Sequence, residues 1–171
     1  DAGNIGGGGF MLIYMNGKPY FLDYRETAPG SAHRDMFLNA EGNVIENSTL
    51  IGARAAGVPG TVAGFWAAHQ RFGKLPWQQV VAPAIKLARD GFMPAKILAA
   101  DVQSHFDWFG TNTNFKNYFG KVKAGEIFKQ PALASTLTRI ANSGQADFYT
   151  GETSRLIVKQ MERDGGLINA E

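Results

Sequence analysis

The 171-residue chain contains no cysteine. That excludes disulfides, thiol nucleophiles and cysteine-ligated metals, and leaves the compartment open. It has no marked excess of either charge: 17 basic and 15 acidic residues leave +2. With no basic stripe, a nucleic-acid surface is not expected. No apolar run approaches the ~20 residues that a membrane span requires. Only three histidines occur, His33, His69 and His105. They are scattered, with no H-E-x-x-H or other ligand spacing, so no metal site is expected. His33 reads as a loop histidine that lies near the arginine discussed below. A serine nucleophile is missing too: there is no G-x-S-x-G, and Thr27, Ser31 and Ser48 have no histidine or lysine at a diagnostic spacing.

What the chain has is concentrated near its start, in GNIGGGGFMLIYMNGKPYFLDYRETAP, residues Gly3 to Pro29. Four successive glycines, Gly6 to Gly9, allow close approach of backbone to backbone or to a ligand. Phe10 to Met15 and Tyr20 to Tyr24 read as strands from their aromatic and aliphatic content. Asn16-Gly17 between them is the preferred pair for a type I′ hairpin turn, and Lys18-Pro19 opens the return strand. The hairpin delivers Arg25 beyond its second strand, between the carboxylates of Asp23 and Glu26. A phosphate-binding loop does not fit. Neither G-x-x-x-x-G-K-[ST] nor G-x-G-x-x-G is completed, and a strand follows where both motifs need a helix.

The remaining pattern is mostly helical. Pro59-Gly60-Thr61 breaks the chain, with Thr61 as the expected N-cap of a helix over Val62 to Phe72 that closes at Gly73. Pro76 is expected in the first turn of the next helix, where Val80, Val81, Ala84, Ile85 and Ala88 share a face. Pro83 bends it and Gly91 ends it. Leu133, Leu137, Ile140 and Ala141 mark another helix, stopped by Gly144. Glu152 to Arg163 forms one more, terminated by Gly165. Lys116, Lys121, Lys123 and Lys129 interleave with Phe115, Tyr118, Phe119 and Phe128. That stretch reads as a solvated variable loop with buried aromatics. Each apolar stripe is core packing, and none calls for a cofactor.

Several long segments in order resemble the large-subunit portion of the γ-glutamyltranspeptidase family. They are GNIGGGGFMLIY (Gly3 to Tyr14), DYRETAPGSAHRDMF (Asp23 to Phe37), GVPGTVAGF (Gly57 to Phe65), PAIKLARDGF (Pro83 to Phe92) and DFYTGETSRLI (Asp147 to Ile157). The resemblance covers nearly the whole chain except a divergent stretch from about His105 to Phe128. It implies an α+β fold: part of the αββα sandwich of N-terminal-nucleophile hydrolases, an N-terminal hairpin followed by mostly helical segments. Residues 1–171 would then be a partial large-subunit region, truncated at both ends. The abrupt start at Asp1, without signal peptide or initiator methionine, and the abrupt stop at Glu171 carry the same expectation.

The resemblance also implies the chemistry. Arg25 would hold the α-carboxylate of a γ-glutamyl group, a task for which a planar guanidinium fork is suited and lysine is not. Glu26 and Asp23 would support and orient it, with Glu26 the better placed; both should stay ionised beside an arginine. The nucleophile would be a threonine freed by self-cleavage at the start of the small subunit, its α-amino group serving as base. No segment here matches that threonine, so this chain alone holds no catalytic residue and is expected to be inactive. The expected partners are γ-glutamyl compounds such as glutathione and the small subunit of the same precursor. The expected setting is bacterial, periplasmic or secreted, with no cofactor. Two other readings stay open: a cephalosporin or glutaryl acylase of the same fold, and a non-catalytic carboxylate-binding module. In isolation the hairpin would lack sheet neighbours, which predicts self-association.

Overall fold

The computed structural model describes residues 3–109 and 113–170. Asp1, Ala2, Glu171 and residues 110–112 of the divergent stretch lie outside the described residues. The chain opens with an antiparallel hairpin of β1 (Phe10–Met15) and β2 (Lys18–Asp23). Asn16 and Gly17 both have positive φ, 53° and 75°, as a type I′ turn demands. Strand alternation then sorts the side chains. Phe10, Leu12, Tyr14 and Phe21 share one face and are exposed, with the Phe10 and Phe21 rings stacked at 5.7 Å. The other face turns toward α1 (Thr61–Phe72): Tyr20 meets Phe72 and Tyr24 meets Phe65 edge-on at 5.7 Å.

Eight α-helices occur among the described residues. After α1 come α2 (Trp77–Asp90), α3 (Lys96–Ser104), α4 (Phe106–Phe109) and α5 (Phe115–Phe119). They are followed by α6 (Pro131–Ser143), α7 (Gln145–Thr150) and α8 (Glu152–Asp164). Helices α2 and α6 pack along one another through Val81, Ile85 and Ala88 against Leu133, Ala134 and Leu137. This is the helical spacing that the sequence displays; full burial of a large side chain, as at Leu137, contributes roughly 1.5–3 kcal/mol, and the half-buried Val81, Ile85 and Leu133 contribute less each. Val62, Ile140 and Phe148 join α1, α6 and α7 in an adjoining cluster. The Trp77 indole N–H donates to the Ile140 carbonyl at 2.9 Å, and its ring meets Trp66 edge-on.

Three expectations are corrected. Thr61 is not the cap of α1 but its first helical residue; Gly60 occupies the cap position with no side-chain hydrogen bond. The first-turn donors find their acceptors elsewhere in the chain, as described below. Pro76 caps α2 rather than entering its first turn, and its carbonyl accepts from Gln79 and Val80. The lysine- and aromatic-rich stretch from Phe115 to Lys129 is not only a loop. It opens on α5, and with α4 just before it brings Phe106, Phe115 and Phe119 together with buried Val122 and Phe128 against Ala99 and Val102 of α3. Aromatic area here is large enough to build a second small core.

One ionic network ties the last three helices. The carboxylate of Asp147 in α7 is almost fully buried, 3.5 Å from the guanidinium of Arg139 in α6. Arg139 donates to the hydroxyls of Thr153 and Thr136, and Thr153 donates to Asp147. A buried carboxylate is tolerable only with such partners.

Candidate substrate-binding site

Arg25 stands two residues beyond β2, where the backbone is gripped from both sides. On one side Gly9 and Tyr24 exchange main-chain hydrogen bonds at 3.3 and 2.9 Å, extending the hairpin by one pair. On the other, Thr27 and Val58 exchange theirs at 3.2 and 2.8 Å. The two flanks are tied together in turn, because the Gly7 carbonyl accepts from the N–H groups of Gly60 and Thr61. Approach is so close that side chains are excluded. A Cβ on Gly8 would lie 2.5 Å from the Tyr24 carbonyl oxygen and 2.7 Å from the Glu26 nitrogen. A Cβ on Gly60 would collide with the Tyr24 carbonyl, and one on Gly64 with the Tyr24 ring. The glycine run and the G-V-P-G-T-V-A-G segment thus form a clamp around Tyr24 to Thr27.

Within the clamp the three predicted residues are together. Arg25 Nε donates to Glu26 Oε2 at 3.1 Å, and the guanidinium lies 5.8 Å from the Phe10 ring centre. Among the described residues neither terminal guanidinium nitrogen has a hydrogen-bond partner, and the side chain is 62% exposed. The face of the fork that a carboxylate would approach is therefore open. Asp23 acts differently from Glu26: its carboxylate accepts the main-chain N–H of Arg25 at 2.9 Å, fixing backbone rather than guanidinium. The Glu26 carboxyl is held below the ordinary glutamate range. Its own main-chain N–H is the main cause, opposed by partial desolvation, with the Arg25 charge and the Gly8 N–H adding. Glu26 is thus an ionised support for Arg25 and not a proton donor at neutral pH.

The other polar residues stay out of the site. Ser31 donates to the Leu167 carbonyl and Ser48 to that of Ile45. His69 engages the Leu75 carbonyl, and His33 is exposed. Among the described residues no three His, Asp or Glu side chains are grouped to hold a metal. A cavity of about 180 Å³ is lined by Pro29, Val58, Pro59, Phe148 and Tyr149 among others; Arg25 does not line it.

Tyr149 escapes a reading of the sequence. Its hydroxyl donates to the Pro59 carbonyl at 2.8 Å and accepts the N–H of Ala63 at 3.2 Å. Burial pushes its phenol pKa up, partly offset by the Ala63 hydrogen bond. The hydroxyl and the Gly7 carbonyl together supply α1 with the acceptors that a capping side chain would otherwise provide. Nothing in the local sequence marks this pairing, since the two segments are 90 residues apart.

The hairpin, the clamp and the helical layer define a portion of the N-terminal-nucleophile hydrolase fold, as their structural relatives make plain. The structure superimposes on that of γ-glutamyltranspeptidase from Pseudomonas nitroreducens, complexed with L-DON, with a TM-score of 0.96 and 58% identity. That match covers 99% of this chain and 50% of the other. The chain is 57% identical over 168 residues to the glutathione hydrolase proenzyme of Pseudomonas aeruginosa, covering 98% of this chain and 30% of that protein. It is 43% identical over 177 residues to the glutathione hydrolase proenzyme of Escherichia coli, covering 100% of this chain and 30% of that protein. The family model for gamma-glutamyltranspeptidase matches residues 1–171. The chain belongs to the gamma-glutamyltranspeptidase family. It spans about a third of the length of these curated relatives.

Proposed function

We propose that the protein to which this region belongs is a γ-glutamyltransferase and glutathione hydrolase, and that Arg25 receives the α-carboxylate of the γ-glutamyl donor. The observation that carries this reading is the open guanidinium fork, held by Glu26 on a backbone clamped by glycines. Such pre-organisation lowers the ordering cost of binding a carboxylate. Residues 1–171 act as part of the large subunit of a precursor that cleaves itself. A threonine at the start of the small subunit attacks the γ-carbonyl, its α-amino group taking the hydroxyl proton and passing it to the amine that leaves as the γ-amide bond breaks. The acyl group then passes to water, an amino acid or a peptide. Glutathione is the reference donor and the periplasm or the cell exterior the setting. The names of the relatives support the substrate class.

The test uses a precursor spanning the length of the relatives, with hydrolysis of a γ-glutamyl anilide as the assay. Loss of a hydrogen-bonded charge partner costs about 2–4 kcal/mol, or roughly 30- to 1,000-fold in kcat/KM for Arg25→Ala. Self-cleavage should be unchanged. An Arg25→Ala enzyme with wild-type kcat/KM would reduce the arginine to a hairpin anchor. A processed enzyme inactive on γ-glutamyl compounds but active on glutaryl amides would assign it to the sister acylases instead.

A further inference from the structure

Helix α1 starts without a cap of its own. Gly60 offers no side chain, and the main-chain N–H groups of the first turn need acceptors. Thr61 finds the carbonyl of Gly7, and Ala63 finds the hydroxyl of Tyr149. The same hydroxyl donates to Pro59, so one oxygen bridges the two limbs of the turn from Pro59 to Ala63. That turn is also one jaw of the clamp. Val58, beside Pro59, is hydrogen-bonded to Thr27, and Gly60 lies so close that an added Cβ would be 3.0 Å from the Arg25 carbonyl oxygen. A continuous set of short contacts therefore runs from Tyr149 through Pro59 and Gly60 to the backbone of Arg25.

We infer that Tyr149 is a positioning residue for Arg25: its hydroxyl sets the turn that fixes where the guanidinium stands. This rests on the reading of Arg25 as the carboxylate holder. The ring and the hydroxyl have separable roles. Packing of α7 on α1 and α6 runs through Val62, Ile140 and Phe148, with the Tyr149 ring against them. Tyr149→Phe keeps that packing and removes only the bridging oxygen. The Pro59 and Ala63 groups then lose their common partner and the jaw relaxes.

The experiment is a double-mutant cycle in a precursor spanning the length of the relatives: wild type, Arg25→Ala, Tyr149→Phe and both. Anilide hydrolysis, self-cleavage and thermal unfolding are measured for each. Loss of the bridge should raise KM for the γ-glutamyl donor about 3- to 10-fold, with kcat nearly unchanged and self-cleavage normal. In the Arg25→Ala background the same substitution should change KM by less than about twofold, because a residue acting through another shows coupling and not additivity. Equal losses in both backgrounds, or a lower Tm with unchanged KM, would make Tyr149 a helix cap alone and overturn the inference. An unaffected Tyr149→Phe enzyme beside an impaired Arg25→Ala enzyme would overturn it too, leaving the reading of Arg25 intact. An unaffected Arg25→Ala enzyme would remove both. Should Tyr149→Phe fail to accumulate, Gly60→Ala disturbs the same jaw from its other side. It should show the same dependence on Arg25.

Discussion

Gly60→Ala isolates the steric part of the clamp. Gly60 has φ −106° and ψ −15°, a conformation open to alanine, so the substitution carries no backbone strain of its own. The conflict lies with its neighbours: the new methyl would collide with the Tyr24 carbonyl oxygen, and would stand 2.8 Å from the Tyr24 carbonyl carbon and 3.0 Å from the Arg25 carbonyl oxygen. These are main-chain atoms, tied at Gly9 and Val58, and they yield only by shifting the whole Tyr24 to Thr27 segment. Overpacking of this kind costs about 1–3 kcal/mol. With a urea m-value of roughly 1–3 kcal/mol/M, the unfolding midpoint should fall by about 1 M. Gly30→Ala is the control, because an added Cβ there meets nothing within 4 Å. Equal midpoints for the two variants, or a Gly60→Ala protein as stable as wild type, would refute the clamp as described.

Two further predictions concern charge. Arg139→Met should leave the buried Asp147 carboxylate with only the Thr153 hydroxyl, a loss of about 3–5 kcal/mol in urea unfolding; an unchanged midpoint would mean that the network is neutral. The Glu26 carboxyl should titrate below the ordinary value of 4.5, by NMR at its side-chain carbon. Because its folded pKa is lowered, its stabilising contribution is complete above the unfolded value and is lost only as pH falls through the folded one. The Arg25–Glu26 pair should therefore persist at pH 5, and Arg25→Ala should move the Glu26 midpoint upward.

The parts of this architecture legible in the sequence are those governed by near neighbours. Asn16-Gly17 specifies its turn, and the spacing of Leu133, Leu137, Ile140 and Ala141 specifies the buried face of α6. Gly91, Gly144 and Gly165 end their helices at positive φ, as expected. Arg25, Glu26 and Asp23 are brought together by adjacency alone. What escapes is set by distant partners. Thr61 looks like a cap because its hydroxyl is in the right place, yet acceptors from Gly7 and Tyr149 leave a cap side chain without a task. Gly60 reads as part of a chain break, whereas it and its neighbours Gly57 and Gly64 let Tyr24 and Glu26 approach. The aromatic run after His105 hides α4 and α5, because their stability comes from packing on Phe128 and α3 and not from local propensity.

The tie between Tyr149 and Pro59 also sets a clock. Ribosomes deliver roughly 5–20 residues per second, so the 90 residues between these partners take about 5 to 20 s to be made. A hairpin such as β1–β2 forms within about 10 μs once its turn is available. Through those seconds the arginine sits beside a jaw held by Gly7 and Thr27 but without the Tyr149 bridge, with Phe10, Leu12, Tyr14 and Phe21 facing solvent. An early-translated part of the site thus waits on a hydroxyl made 90 residues after the turn it bridges.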